Sequence, residues 1–210
     1  MARLKKDERE QVLETNRQLL LDAAAGVFAR EGYNGANINR ISQAAGFAKG
    51  TIYNYFPSKQ VLLEELLGAT AQMHFEFISK AVLAEESPSG RLIAFFESGF
   101  DFVKEFLSPA RVMVNVIYGA NEAFKMHLFQ AYMPMFQFVT LEIITPGVHQ
   151  GVFRQVDPAA TANLLMTIYL GTASQITDEG EFYLDPGQVA DFALNSLLKE
   201  RSAYIPTQES

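Results

Sequence analysis

The chain has 210 residues, of which 49% are apolar and 20% are charged. This composition is typical of one large folded domain or two small ones and excludes a disordered chain. The absence of cysteine excludes disulfide scaffolds, zinc fingers and thiol catalysis. No apolar signal-like stretch follows the charged first residues, so we expect a cytoplasmic protein.

The net charge of −7 taken alone argues against a nucleic-acid partner, but the charge is unevenly distributed. Residues 1–67 hold nine Lys or Arg and eight Asp or Glu, whereas residues 68–210 hold eight and sixteen. From Gly32 to Leu63 there are three basic residues and no acidic one. A polyanion could approach this window without meeting a carboxylate, although a chance gap in a modestly charged chain explains it equally well.

Apolar residues recur at helical spacing nearly throughout, and no alternating strand-like run is present, so we predict an all-α protein. The first helix begins either at the capping box that starts at Thr15 or earlier, and it ends at Gly32. Pro134 falls inside a later helix and predicts a kink there. The further helices are predicted at about 38–45, 48–55, 58–83, 90–107, 110–119, 121–145, 158–176 and 187–203.

The second and third helices are separated only by Ala45-Gly46-Phe47, a short glycine-containing turn typical of a helix-turn-helix. Asn37 is a favourable N-cap for the second helix. Ile52 and Phe56 lie four residues apart and would anchor the very short third helix to the core. The remaining side chains of that helix are of the kinds that read base edges or hold phosphates: Lys49, Thr51, Tyr53, Asn54 and Tyr55. Short helix-turn-helix arrangements also occur in proteins that never bind DNA, so this motif alone leaves both interpretations open.

The segment from Arg17 to Leu67 resembles the DNA-binding domain of TetR-family transcriptional regulators, above all in AGFAKGTIYNYF (45–56) followed by Ser58-Lys59. The resemblance implies an amino-terminal three-helix helix-turn-helix domain over 1–67, with the motif at about 37–56. It also implies a larger helical effector-binding and dimerisation domain over 68–210, and a homodimer on a palindromic operator.

Carried over by position, the resemblance implies that four residues face bases, namely Lys49, Gly50, Thr51 and Asn54. It implies that four others hold phosphates, namely Asn37, Tyr53, Tyr55 and Lys59. Two positions depart from the family pattern. Asn37 stands where threonine is usual, which keeps a capping group. Ala48 stands where serine is common, which removes one capping or phosphate hydrogen bond worth about 1 kcal/mol.

Aromatic and methionine residues are concentrated beyond the helix-turn-helix, and twelve of the seventeen phenylalanines lie between Phe75 and Phe153. Any one of them is more simply explained as core than as pocket lining. If a pocket exists, we expect a mostly apolar, neutral and even aromatic effector, since methionines suit adaptable pockets. The candidate pocket residues are Phe96, Phe100, Met113, Asn115, Tyr118, His127, Met133 and Phe136.

The run from Ala159 to Thr177 contains no charge but too many threonines and amides for a membrane span. Such a helix is either the centre of one subunit's core or packs on a partner subunit as well. The resemblance implies a dimer interface through about 159–177 and 187–201.

The three histidines (His74, His127 and His149) share no metal-ligand spacing, and no phosphate loop or nucleophile motif is present. His74 and His127 have apolar neighbours and are interpreted as packed or pocket-polar histidines. We therefore expect no enzyme, metal or cofactor. The sequence predicts a DNA-binding regulator, most simply a repressor, released from its operator by the effector. The alternative is a helical carrier or interaction protein that binds an apolar ligand without DNA.

Overall fold

The computed structural model describes residues 6–177 and 179–199. The described residues form helices and turns, with two isolated β-bridges and no β-strand. None of the described helices is long and apolar enough to cross a lipid bilayer. The helices, in chain order, are α1 (Lys6–Gly35), α2 (Ile38–Ala44), a 3₁₀ segment (Thr51–Asn54), α3 (Lys59–Leu83), α4 (Pro88–Glu105), α5 (Leu107–Ile117), α6 (Glu122–Phe138), a π segment (Val139–Ile144), α7 (Thr145–His149), α8 (Pro158–Ala173) and α9 (Pro186–Leu197).

Helix α1 takes the earlier of the two predicted starts. The Thr15 hydroxyl donates to the Gln11 carbonyl within the helix (2.8 Å), so the capping box at Thr15 is not the helix start. The predicted stop at Gly32 is confirmed as a break, since its φ of 65° and ψ of 175° are not helical. One further turn then carries the chain to Gly35.

The chain divides into two compact units, each drawn from two stretches of sequence. The first contains residues 1–73 and 106–132, and in it α1 packs against α2 and α5. Its core includes apolar side chains that are at most 2% exposed: Leu20, Ala24, Phe28, Ile41, Ile52, Phe56 and Leu62.

The second unit contains residues 74–105 and 133–210. Helix α4 packs against α9, α8 and the π segment. Helices α8 and α9 begin in the same way: an aspartate (Asp157 or Asp185) accepts a backbone hydrogen bond as N-cap, and a proline follows it. Proline suits that position because its missing N–H would have no helical partner there.

The single helix predicted over 121–145 is wrong in its carboxyl-terminal part. Helix α6 continues through Pro134 to Phe138, and the next six residues form the π segment. The hydroxyls of Thr140 and Thr145 donate to the carbonyls of Phe136 and Thr140 (both 2.8 Å), so they satisfy acceptors around this wider turn. The kink expected at Pro134 stays a prediction.

Candidate nucleic-acid interface

Helix α2 has the N-cap that the sequence predicted. The Asn37 side-chain oxygen accepts a hydrogen bond from the Asn39 backbone N–H (2.9 Å), with Asn37 itself in an extended conformation. This bond satisfies one of the amide groups left without a helical partner at the helix start. The Asn37 amide nitrogen keeps its own N–H donors for another partner.

The turn after α2 is held by Ser42, a residue that the sequence reasoning missed. Its side chain is fully buried, and its hydroxyl donates to the Ala48 carbonyl (2.7 Å). The backbone N–H of Phe47 donates to the Ser42 carbonyl (2.9 Å). A small polar residue on the inner face of a helix just before a glycine turn is the signal that could have identified it.

The third helix of the motif is shorter than the predicted 48–55 and has 3₁₀ rather than α geometry. Gly46 and Gly50 have φ values of 83° and 82°, in the left-handed region that side chains disfavour. The backbone therefore turns at Gly50 and forms one 3₁₀ turn, Thr51–Asn54.

The 3₁₀ segment is anchored on one side and exposed on the other. Ile52 and Phe56 are fully buried, which confirms them as the predicted anchors. Lys49, Tyr53 and Asn54 are exposed, and the Tyr53 side chain is 51% exposed despite its size. The exposed groups are an ammonium, a phenol and an amide, which can all donate hydrogen bonds to phosphates or base edges.

Tyr55 is fixed to α1. Its hydroxyl accepts a hydrogen bond from the Asn16 side-chain amide (3.0 Å), and its carbonyl accepts one from Arg17 (3.3 Å). The Arg17 guanidinium also lies 4.7 Å from the centre of the Phe56 ring and pairs with Glu65. The Tyr55 hydroxyl keeps its own hydrogen, so it can still donate to a phosphate while the ring stays oriented.

Lys59 lies at the start of α3 and reaches back to the end of α1. Its ammonium donates to the carbonyls of Tyr33 (2.7 Å) and Ala36 (3.0 Å), with that of Asn34 at 3.5 Å. It also lies 4.7 Å from the centre of the Tyr33 ring. All three ammonium hydrogens therefore have an acceptor, in the segment that leads directly into the Asn37 cap.

In three dimensions, a carboxylate contacts the acid-free window. Glu31, the acidic residue that immediately precedes it, pairs with Arg40 of α2 (2.8 Å). The Arg40 side chain is 62% exposed, so a phosphate could still reach its guanidinium. Arg40 was not among the predicted site residues, although it is one of the three basic residues of the window.

The eight candidate effector residues fall on both compact units. In the first unit, the Tyr132 hydroxyl donates to the Met113 sulfur (2.8 Å), the Asn115 amide to the Ala29 carbonyl (3.4 Å), and His127 Nε2 lies 2.9 Å from the Glu64 carbonyl. Tyr118, the fourth, is 67% exposed.

In the second unit, Phe96 and Phe100 are buried, whereas Met133 is 46% exposed and Phe136 is half-buried. Phe96 and Phe100 each contact the ring of Tyr169, with centroids 6.5 and 5.4 Å away. Tyr169 was missed as a candidate, because a tyrosine inside an uncharged helix gives no sequence signal beyond its hydroxyl.

The Tyr169 hydroxyl donates to the Gly99 carbonyl (2.9 Å) and lies 3.0 Å from His74 Nε2. Since its one hydrogen is used at Gly99, the hydroxyl oxygen accepts from a His74 ring protonated at Nε2. His74 is buried, stacks on Phe102 (4.1 Å between centroids), and burial lowers its pKa to about 3. His74 is thus a packed, neutral histidine, and packing is one of the two interpretations that the sequence left open.

A methyl group on Gly99 would lie 2.7 Å from the Tyr169 ring, so the absence of a side chain permits this close approach. Within the described ranges, no three His, Asp or Glu side chains converge in a way that could hold a metal ion.

Comparison with known proteins supports the interpretation of the motif. The family model described as "Bacterial regulatory proteins, tetR family" matches residues 20–66. The chain is 26% identical over 145 residues to the HTH-type transcriptional repressor KstR2 of Mycobacterium tuberculosis, which covers 64% of this chain and 68% of that protein.

The similarity to solved structures with the same fold covers most of the chain. FadR from Bacillus subtilis in complex with stearoyl-CoA matches with a TM-score of 0.74 at 19% identity, covering 85% of this chain and 95% of that one. AibR in complex with isovaleryl coenzyme A and operator DNA matches with a TM-score of 0.69 at 21% identity, covering 87% and 98%.

The matched segment begins in the α1 core, ends in α3, and includes the whole helix-turn-helix with its exposed polar side chains. The relatives are transcriptional regulators and not enzymes. This chain is therefore a DNA-binding transcriptional regulator whose residues 20–66 match the TetR family.

Proposed function

We propose that the protein is a cytoplasmic repressor, released from a palindromic operator by a small, mostly apolar effector. Residues 1–67 bind DNA, and residues 68–210 bind the effector and dimerise. The observation that carries the proposal is the 3₁₀ segment, which exposes Lys49, Tyr53 and Asn54 while Ile52 and Phe56 hold it to the core. The alternative of a carrier without DNA binding does not fit a TetR-family regulator.

At the operator, Lys49, Gly50, Thr51 and Asn54 face base edges. Tyr53, Tyr55 and the amide nitrogen of Asn37 hold phosphates. Lys59 is assigned a positioning role instead, because the backbone carbonyls at the end of α1 already accept from its ammonium. In a dimer, two such surfaces would address half-sites roughly 34–36 Å apart, one turn of the duplex.

The test is quantitative binding to the DNA that flanks the protein's own coding sequence, at several salt concentrations. Lys49→Ala and Tyr53→Phe should each weaken binding about fivefold or more, the equivalent of about 1 kcal/mol. Lys80→Ala, which removes an exposed lysine near the end of α3, is the matched control and should leave binding unchanged. Equal effects of Lys49→Ala and Lys80→Ala would contradict the site.

The proposed dimer interface is the exposed apolar side of α8 and α9. Leu164 of α8 and Phe192 of α9 are 64% and 66% exposed. Ile168, Val189, Phe192 and Leu184 line an open depression of about 300 Å³ on these elements. Exposed large apolar side chains at neighbouring positions are typical of an interaction surface. Helices from a second subunit would cover them.

The effector proposal rests on the apolar character of the second unit, whose buried aromatic residues surround Tyr169. FadR and AibR are shown with acyl-CoA molecules, and an acyl chain is the kind of group that such an environment accepts. A thermal-shift series should compare neutral apolar amides, acyl-CoA molecules and free CoA. We expect the size of the thermal shift to depend on the apolar part of the added molecule. A shift by free CoA as large as that by any acyl-CoA would overturn this effector class.

A further inference from the structure

The first unit contains an open cleft of about 570 Å³ that the proposed function does not use. It lies between the end of α1 and the connection from α5 to α6, with Leu63 of α3 in its wall. Its volume is within the range of roughly 300–1,000 Å³ that is usual for small-molecule sites. Its apolar side includes Val112 and Val116, which are largely buried.

Three aromatic rings line this cleft, and the Tyr33 ring contacts the other two. The Tyr33 ring lies 4.7 Å from that of Phe124 in an edge-to-face arrangement and 6.2 Å from that of Phe28. Aromatic faces attract cations through the ring quadrupole. The Tyr33 ring already does so within the protein, because the Lys59 ammonium lies 4.7 Å from its centre.

The charged side chain in the described lining of the cleft is a carboxylate. Glu31 is the one acidic side chain among its described lining residues, and no lysine or arginine lines it. The other polar lining groups are the neutral amides of Asn34, Asn115 and Asn121. The end of α1 adds carbonyl oxygens, which carry the negative end of the helix dipole. A carboxylate and carbonyls beside aromatic rings disfavour an anion and favour a cation.

We propose that this cleft binds a small organic cation, an amine or quaternary ammonium attached to an apolar group. The cation lies beside Glu31 and the Tyr33 ring, and the apolar group lies against Leu63, Val112 and Val116. A neutral ligand of the same shape would fill the apolar part but would leave the carboxylate without a new partner.

Two of the lining residues also hold the connection from α1 to α2. Glu31 pairs with Arg40 of α2, and Tyr33 contacts the Lys59 ammonium through both its ring and its carbonyl. A bound cation competes with Arg40 and Lys59 for these groups and so loosens the helix-turn-helix. This consequence for DNA binding rests on the proposed function, whereas the site itself does not.

The site is tested by methyl NMR of the full chain without DNA, with three probes of similar shape: 2-phenylethylamine, 2-phenylethanol and 3-phenylpropionate. We expect the amine to shift the methyl signals of Leu63, Val112 and Val116 and to bind about tenfold more tightly than the alcohol. The propionate should bind more weakly than the alcohol. Val189, in the second unit, reports on non-specific effects.

Two variants separate the charge from the rings. Glu31→Gln should reduce the preference for amine over alcohol to near onefold, while Glu97→Gln, which changes an exposed carboxylate of α4, should leave it intact. Phe124→Leu keeps an apolar side chain but should weaken the amine more than the alcohol. Equal binding of amine and alcohol to the unaltered protein, or shifts confined to other methyl groups, would overturn the site.

The consequence for DNA binding needs a separate titration of the operator complex with 2-phenylethylamine. Weaker operator binding that disappears in Glu31→Gln supports it. Amine binding at the cleft with unchanged operator affinity would overturn the consequence and leave the site standing. Failure to bind any flanking DNA, with the NMR result intact, would count against the proposed function alone.

Discussion

Lys59 is the residue for which the family resemblance and the observed geometry indicate different roles. The resemblance implies a phosphate contact, but the ammonium donates to the Tyr33 and Ala36 carbonyls at 2.7 and 3.0 Å. Sequence could not reveal this, because the carbonyls lie 26 and 23 positions away and belong to the backbone. Lys49, by contrast, is exposed at the start of the 3₁₀ segment, where the sequence predicted a DNA contact.

We predict that Lys59→Met weakens operator binding without changing its salt dependence. A lysine that neutralises a phosphate contributes about 0.9 to the slope of log K against log salt concentration, because it releases a counterion. Lys59→Met should therefore leave the slope unchanged within about 0.3, whereas the loss of a phosphate-neutralising lysine would reduce it by about 0.9. Lys59→Met should also lower the free energy of unfolding by roughly 1 kcal/mol, since the Tyr33 and Ala36 carbonyls lose their donor.

Fluorescence anisotropy with one labelled operator fragment, at five salt concentrations, measures the slope for the unaltered protein and for Lys59→Met. Lys59→Arg should restore part of the affinity, because a guanidinium can also donate to several carbonyls. If Lys59→Met reduced the slope by about 0.9, Lys59 would be a phosphate contact and not a positioning residue.

A pH dependence follows from His74, whose burial lowers its pKa to about 3. The unfolded chain has an ordinary histidine pKa of about 6.5, so between these two values the unfolded state binds the extra proton. Stability is therefore retained above about pH 6.5 and falls as the pH decreases toward 3. From pH 7 to pH 5 this one group should cost about 2 kcal/mol of unfolding free energy.

Urea unfolding of the protein and of His74→Gln, each at pH 7 and pH 5, isolates this contribution from that of the 24 carboxylates. We expect the variant to be less stable at pH 7 but to lose about 2 kcal/mol less on acidification. An identical loss in both proteins would mean that the buried His74 accepts a proton without cost.

Among the secondary-structure elements, the 3₁₀ segment depends on a backbone conformation at Gly50. Its φ of 82° disfavours a side chain, although a Cβ there would meet no atom within 4 Å. We predict that Gly50→Ala costs about 1 kcal/mol of stability and weakens operator binding about fivefold, because relieving the strain moves the turn. Thermal unfolding and anisotropy measure the two effects.

Gly68 supplies the matched control. It lies inside α3, and a Cβ there also meets nothing within 4 Å, but no positive φ applies. Gly68→Ala should therefore stabilise the protein by about 0.5–1 kcal/mol and leave operator binding unchanged. Equal stabilisation by both substitutions would show that the turn at Gly50 does not need its left-handed conformation.

Helices were predictable from sequence where a strong local signal marks their ends. Asn37 capping α2, and proline after Asp157 and Asp185, are such signals. The π segment after Phe138 was not predictable, because α and π turns share the same hydrophobic pattern and differ only in hydrogen bonding. The 3₁₀ geometry of Thr51–Asn54 was likewise not predictable from the sequence.

For the molecule as a whole, the DNA-binding motif was far more predictable than a pocket. The motif is local, so Lys49 to Phe56 place their own side chains relative to one another. A pocket depends on packing between elements that are distant in the sequence. Tyr169, for example, lies within hydrogen-bond distance of Gly99 and His74, which are 70 and 95 positions away in the chain. Apolar composition indicates a buried core, but it does not distinguish the residues that line a pocket from those that fill the core.

The exposed apolar side of α8 and α9 bears on the assembly of subunits. Leu164 and Phe192 are 64% and 66% exposed, and apolar side chains of this size are typical of a surface that a partner subunit covers. Burying two such side chains per subunit contributes roughly 1.5–3 kcal/mol each. We therefore predict that Leu164→Glu combined with Phe192→Glu converts the dimer into a 23.4 kDa monomer at micromolar concentration, by light scattering.

The same double variant should lose most operator affinity while its helix-turn-helix remains folded, because a single half-site forfeits the simultaneous contact that the dimer makes. Phe129→Glu is the control, since it introduces the same charge at an aromatic residue of α6 that is 55% exposed and lies in the first unit. It should leave the mass near twice that of one chain. A monomeric mass for the unaltered protein, or a dimer that survives both glutamates, would place the subunit interface elsewhere and remove the two-fold geometry on which a palindromic operator depends.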